Sequence, residues 1–121
     1  MLVTAAYGLA VLLNLMILFI GLRFLVAPRS AAAGYGVPAE TDIAYLTIKG
    51  VRDATYGLVG LALLVFVGAH AEAWFMLVVA LAPVGDTIVV LRHGGSRATA
   101  FGVHLATAAV VLLDAALLFA L

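Results

Sequence analysis

The chain alternates four long apolar runs with three short connections rich in glycine, proline and polar residues. The first run, about 3–26, predicts a helix that stops at Pro28, because the proline ring fixes φ and offers no N–H to continue the ladder. The second, about 42–68, opens after Thr41 or Asp42, either of which supplies an N-cap oxygen. The third runs from about 73 to 92 with Trp74 at its start, a residue suited to the membrane interface. The fourth fills about 98–121. Residues 27–41 read as the longest loop, marked by Pro28, Gly34, Gly36 and Pro38. Ala69-His70-Ala71-Glu72 reads as a tight polar turn and His93-Gly94-Gly95-Ser96 as another. Each run supplies roughly the 20 apolar residues that carry a helix across a bilayer. The predicted fold is all-α: a polytopic four-transmembrane-helix bundle, one domain over 1–121, with both termini on the same side. No internal repeat beyond two helical hairpins and no low-complexity segment is visible.

Composition agrees with that pattern. Of 121 residues, 67% are hydrophobic and 10% charged, with a mean hydropathy of +1.29. A soluble domain carries about 25% charged residues, so this chain lacks a polar coat. The spans fill the chain, and function is therefore expected within or between the helices. Six Lys or Arg balance six Asp or Glu, which leaves no basic field for nucleic acid. Cysteine is absent, excluding disulfides, thiolate metal sites and cysteine nucleophiles. The first run has no positive n-region and is much longer than the roughly 7–15 residues of a signal-peptide core. Residue 1 onwards therefore reads as mature protein. Arginine outnumbers lysine, and Ala, Val, Leu and Gly dominate, a bias that fits a GC-rich bacterial genome.

Cationic loops set the orientation. Arg29 lies in the first connection and Arg92 and Arg97 flank the third, whereas the second connection contains no Lys or Arg. The positive-inside rule places connections one and three in the cytoplasm and both termini outside. The expected location is the cell membrane, the inner membrane of a bacterium, in multi-pass form.

The ionisable residues inside the runs share one depth. Arg23 lies about one turn before the end of the first helix. Lys49, Arg52 and Asp53 occupy the first half of the second, Asp86 the second half of the third, and His104 the first half of the fourth. Because alternate helices run in opposite directions, all six fall in the half of the bilayer beside the cationic loops. Tyr45, Lys49, Arg52, Asp53 and Tyr56 also follow the spacing of one helix face. A charge at mid-bilayer costs about 2.5–3.5 kcal/mol or more, so this stripe is expected to face the bundle interior. Gly50, Gly57 and Gly60 permit close helix approach beside it, although Gly57-Leu58-Val59-Gly60 is not a GxxxG. Lys49 and Asp53 can neutralise one another at i, i+4. Asp86 needs a partner from another helix, with Arg23, Arg52 and Arg92 as candidates. Arg23, Lys49 and Arg52 against Asp53 and Asp86 leave one positive charge in excess, for an anion, a headgroup phosphate or a snorkelling side chain to settle.

Blander readings stand beside these. Buried ion pairs serve helix pairing without chemistry. Arg29, Arg92 and Arg97 read as interfacial anchors, His70 and Glu72 as a solvated turn. Asn14 and Asp114 lie at other depths and read as helix–helix hydrogen bonding or interfacial exposure.

Gly21-Leu22-Arg23-Phe24 with Pro28, Gly34-Tyr35-Gly36-Val37-Pro38, Lys49-Gly50-Val51-Arg52-Asp53, Pro83-x-x-Asp86 and His104 resemble a family of small integral membrane proteins. That family is known as a domain of unknown function, with a layout similar to DoxX-like four-helix proteins. The resemblance spans nearly the whole chain, implies a four-helix membrane fold and lends no activity.

Three functions are compatible with these residues. The first is an acid–base enzyme acting on an apolar, membrane-dissolved substrate. In it Asp53, Asp86 and His104 are the catalytic groups, Arg23, Lys49 and Arg52 orient carboxylates or stabilise an oxyanion, and Tyr45 and Tyr56 donate hydrogen bonds. Isomerisation, cyclisation or epoxide opening suits that set, since none needs a redox cofactor. No serine triad or metal-ligand spacing is visible, so no cofactor and no metal are expected. The second is a small transporter. The multidrug exporters of this size rely on an acidic residue in the middle of helix 1, where this chain has Asn14. The third is a lipid-binding or accessory subunit gripping a headgroup. The expected partners are the bilayer, an apolar small molecule or lipid, and a second copy of the chain, but no nucleic acid.

Overall fold

A computed structural model describes residues 1–121 as an all-helical protein without strands. Its elements are α1 (Leu2–Val26), α2 (Pro28–Tyr35), α3 (Ile43–Phe66), α4 (Ala69–Val79), α5 (Leu81–Arg92), α6 (Arg97–Thr99), a π-helical segment (Ala100–Leu105) and α7 (Ala106–Phe119). Three helical stretches are long and apolar enough to cross a membrane: Leu2–Val26, Ala69–Arg92 and Arg97–Phe119, with mean hydropathies of 2.5, 2.1 and 2.0. α3 has a similar length, 24 residues, but Lys49, Arg52 and Asp53 interrupt its apolar character. Phe19, Phe66, Trp74 and Leu81 stand exposed on the outer surface, where water would be a poor solvent for them.

Several boundaries differ from the sequence expectation. The loop expected at 27–41 contains α2. Pro28 occupies the first helical turn, where its missing N–H costs nothing. Gly36 ends the helix at φ +98; its N–H bonds the Ala33 carbonyl at 3.1 Å and the Val37 N–H bonds Ala32 at 3.3 Å. That pair is a Schellman cap, which glycine at this position permits. The polar turn expected at 69–72 is helical, being the first turn of α4. The chain reverses instead at Val67 and Gly68, where Gly68 takes φ +131 and both N–H groups bond the Leu63 carbonyl. Asp42 holds the N-cap position of α3, but its side chain makes no capping bond.

Two of the expected rods are interrupted. The third breaks at Ala80 into α4 and α5, because Pro83 has no N–H to give the carbonyl one turn back. The fourth widens into the π segment after Ser96, whose hydroxyl accepts the Thr99 N–H at 3.0 Å. Packing is uneven. α1 lies along α3 through glycines, α4 lies on α7, and α5 lies on the π segment. α3 has little contact with α5, the π segment or α7, which leaves a cleft. One apolar cluster around Ala10, Leu13, Met76, Val111 and Leu118 closes the end near the termini. A smaller one, Phe24, Ala31, Ala32 and Leu46, closes the other end beneath α2.

Candidate functional site

Between those two clusters lies a cavity of about 510 Å3, walled by α1, α2, α3, α4, α5, the π segment and α7. Leu13, Met76 and Val111 form its floor towards the termini, and Phe24 and Ala31 its other end. All eight residues singled out from the sequence border it: Arg23, Tyr45, Lys49, Arg52, Asp53, Tyr56, Asp86 and His104. The residues of the α3 stripe line this space, yet only Asp53 is buried; Tyr45 keeps 73% of its surface exposed and Tyr56 39%. The difference follows from the thin contact between α3 and α5, which leaves the cavity open along that side.

A residue with no assigned role in the sequence reading organises the site. Tyr35, the last residue of α2, donates its hydroxyl hydrogen bond to Asp86 Oδ2. Its backbone carbonyl accepts from His104 Nε2 at 2.7 Å, and the His104 ring lies 4.3 Å from the Tyr35 ring, centroid to centroid. Lys49 Nζ sits 4.2 Å from the Tyr35 ring centroid and 5.0 Å from that of Phe24, within cation–π range. Phe24 meets Tyr35 edge-on at 5.7 Å. The signal for Tyr35 lay in Pro28 at the helix start and Gly36-Val37-Pro38 at its end, which mark a short helix as well as they mark a loop.

The partner of Asp86 is thus a phenol and not Arg23, Arg52 or Arg92. Burial, then the charge and hydrogen bond of Asp86, push the Tyr35 hydroxyl well above the usual phenol range. Tyr35 therefore remains a neutral donor. Asp86 Oδ1 receives no hydrogen bond from the protein. A carbonyl can only accept, so the proton of a neutral His104 sits on Nε2 and the lone pair on Nδ1. The π segment carries His104; its wider turn changes the direction in which the side chain leaves the helix, a common feature of functional sites.

Lys49 and Asp53 form the expected pair, Nζ to Oδ2 at 2.7 Å. It is the one salt bridge in the molecule. Arg23 reaches only the Ser30 hydroxyl, at 3.5 Å, and Arg52 has no hydrogen-bond partner. Arg23 and Arg52 are therefore cavity-lining residues without a carboxylate partner, and both are exposed and not enclosed by the bundle as the sequence suggests. The Lys49 side chain is 29% exposed and that of Asp53 10%, so solvent softens the cost of separating them. Lys49→Met is expected to destabilise the protein by about 2 kcal/mol, below the 3–5 kcal/mol of a fully buried pair. Lys49→Met with Asp53→Leu should regain most of that loss. Thermal melting in detergent checks both; a Lys49→Met variant as stable as wild type would contradict it.

A second polar group lies beyond the cavity floor. Glu72, expected in a solvated turn, is fully buried, because the first turn of α4 faces α1 and α7. Asn14 Nδ2 donates to Glu72 Oε1 at 2.6 Å and to the Ala10 carbonyl at 3.0 Å, so its expected helix–helix hydrogen bond is present. Asp114 departs from both expectations: it is fully buried and neither carboxylate oxygen has a partner. Arg29, Arg92 and Arg97 are exposed, with Arg29 Nε donating to the Glu40 carbonyl at 3.1 Å.

Residues 14–118 match the family described as a domain of unknown function (DUF4267), and the chain belongs to that family. No curated protein and no solved structure matches the chain.

Proposed function

We propose that this member of the DUF4267 family crosses the bacterial inner membrane four times and performs acid–base chemistry on an apolar molecule dissolved in the bilayer. The fourth crossing is α3, which turns Asp53 inward and presents Val51, Leu58, Val65 and Phe66 outward. That layout is similar to DoxX-like proteins. Arg29, Arg92 and Arg97 support an orientation with the first and third connections in the cytoplasm and both termini outside. The chain has no cysteine, so single cysteines report topology directly. A membrane-impermeant maleimide should label a His70→Cys variant in intact cells and spare Ser30→Cys. The opposite pattern would reverse the orientation.

The observation that carries the chemistry is the hydrogen bond from Tyr35 to Asp86 at a cavity wall shared with His104. Asp86 Oδ1 and His104 Nδ1 are two proton acceptors without protein partners. Arg23 and Arg52 are two cations without carboxylates. An apolar substrate enters from the lipid through the gap between α3 and α5. Asp86 or His104 takes a proton from the substrate; the electron pair left behind gathers on a substrate oxygen, which the guanidinium groups stabilise. Returning the same proton at a different atom completes an isomerisation with no change in redox state. Cyclisation or epoxide opening uses the same acid and base. Tyr45 and Tyr56, at the opening, donate hydrogen bonds to the polar end of the substrate.

The test is conversion by purified protein of an apolar extract from the producing cell's membranes, read by mass spectrometry. A species consumed by wild type and untouched by Asp86→Asn supports the proposal; no consumption by wild type counts against it. The unpaired Arg23 and Arg52 favour a second reading, a lipid-binding subunit that grips an anionic headgroup. In that case phospholipid copurifies, is lost on Arg52→Ala, and is not chemically changed.

A further inference from the structure

The pair formed by Glu72 and Asp114 is independent of the cavity chemistry. It lies one helical turn past the cavity floor: Met76 and Val111 line the cavity, and Glu72 and Asp114 precede and follow them on α4 and α7. Both side chains are fully buried, on helices that pack against one another, α4 on α7. Three of their four oxygens, Glu72 Oε2 and both of Asp114, have no hydrogen-bond partner. The fourth accepts from Asn14 at 2.6 Å.

No Lys, Arg, His or N-terminal nitrogen forms an ion pair with either of them. α1 offers Asn14, and Tyr7 packs against the same cluster. α3 offers Gly60, which lies against the Asn14 carboxamide, and Leu64. α4 offers His70, which is exposed beside Phe119. Every Arg and Lys of the chain lies towards the other end. Two unneutralised carboxylates buried together are strongly unfavourable, and an acceptor without a donor is more so.

We infer that Glu72 and Asp114 form a proton-binding site whose two buried carboxyl groups carry one proton in the folded protein. One proton halves the buried negative charge. A metal cation would need more oxygens than these, and no group of three metal-capable side chains is present. Asp114 carries the proton. Glu72 stands in the first turn of α4, where the backbone N–H groups favour an anion, and its short bond from Asn14 has the length of a charge-assisted one. Asp114 sits inside α7 with neither support. Asn14 lines the cavity as well, so one carboxamide touches both the cavity and the proton site.

Infrared difference spectroscopy of the full chain in lipid nanodiscs tests this at neutral pH. The expected result is a carbonyl band of a protonated carboxylic acid that shifts in D2O, disappears in Asp114→Asn, and persists in Asp53→Asn and Asp86→Asn. Asparagine has nearly the shape of the protonated acid, so the fold should be retained. If Asp114→Asn does not fold, carboxyl-13C labelling of wild type assigns the band instead, which must move with labelled aspartate and not with labelled glutamate. A spectrum with no protonated-acid band, a band that survives Asp114→Asn, or a band abolished by added sodium would each overturn the inference.

Discussion

Gly57→Leu is expected to prevent α1 and α3 from packing and to leave little folded protein. A Cβ built on Gly57 would lie 2.6 Å from the Asn14 carbonyl oxygen, 2.8 Å from Leu18 Cβ and 2.9 Å from the Leu18 nitrogen. Those atoms belong to backbone or to the root of a side chain, so no rotamer change moves them away. Gly21 meets α3 in the same manner, with Gly50 O at 2.7 Å and the Ala54 nitrogen nearer still. The helices would have to separate along their length, opening the wall that holds Lys49, Asp53 and Arg23. Overpacking costs about 1–3 kcal/mol and occasionally more; with backbone as the obstacle the loss here is put at roughly 3 kcal/mol or more. Gly8→Leu is the control, because nothing lies within 4 Å of a Cβ at that position. Equal melting temperatures for the two variants in detergent would refute the close contact.

Asp86→Asn is expected to remove turnover by about 10²–10⁴-fold, the usual contribution of a positioned acid or base. That corresponds to about 3–5 kcal/mol of transition-state stabilisation. The amide is the size of the carboxylate and its oxygen still accepts from Tyr35, so helicity and melting should change little. Tyr35→Phe tests the positioning role separately. It leaves Asp86 charged but frees its orientation, and should reduce turnover less than Asp86→Asn while altering its pH profile. Unchanged turnover in Asp86→Asn would remove Asp86 from the chemistry. A lipid lost from Arg52→Ala but kept by Asp86→Asn would then favour the headgroup-binding reading.

Particular residues show how far the chain could be read. Depth alone aligns Arg23, Lys49, Asp86 and His104, because helix direction alternates and rise per residue is constant. The Lys49–Asp53 pair was legible because i, i+4 neighbours share a face whatever surrounds them. The partner of Asp86 was not, since Tyr35 and Asp86 are 51 residues apart and any of three arginines satisfied the charge count. The sequence suggests a turn at Glu72 because a polar residue beside His70 resembles one; its burial depends on Asn14, 58 positions away.

Four apolar runs and the alignment of the charges along them follow from hydropathy and periodicity, which are local properties of the chain. Tertiary structure alone decided that α2 inserts Tyr35 into the bundle, that α3 and α5 stand apart, and that Asp114 is buried without a partner. These depend on which helices approach and how closely, and that is set by small contacts such as Gly57 against Asn14. A pattern of apolar and polar positions records how much surface each helix must hide, but not which neighbour hides it.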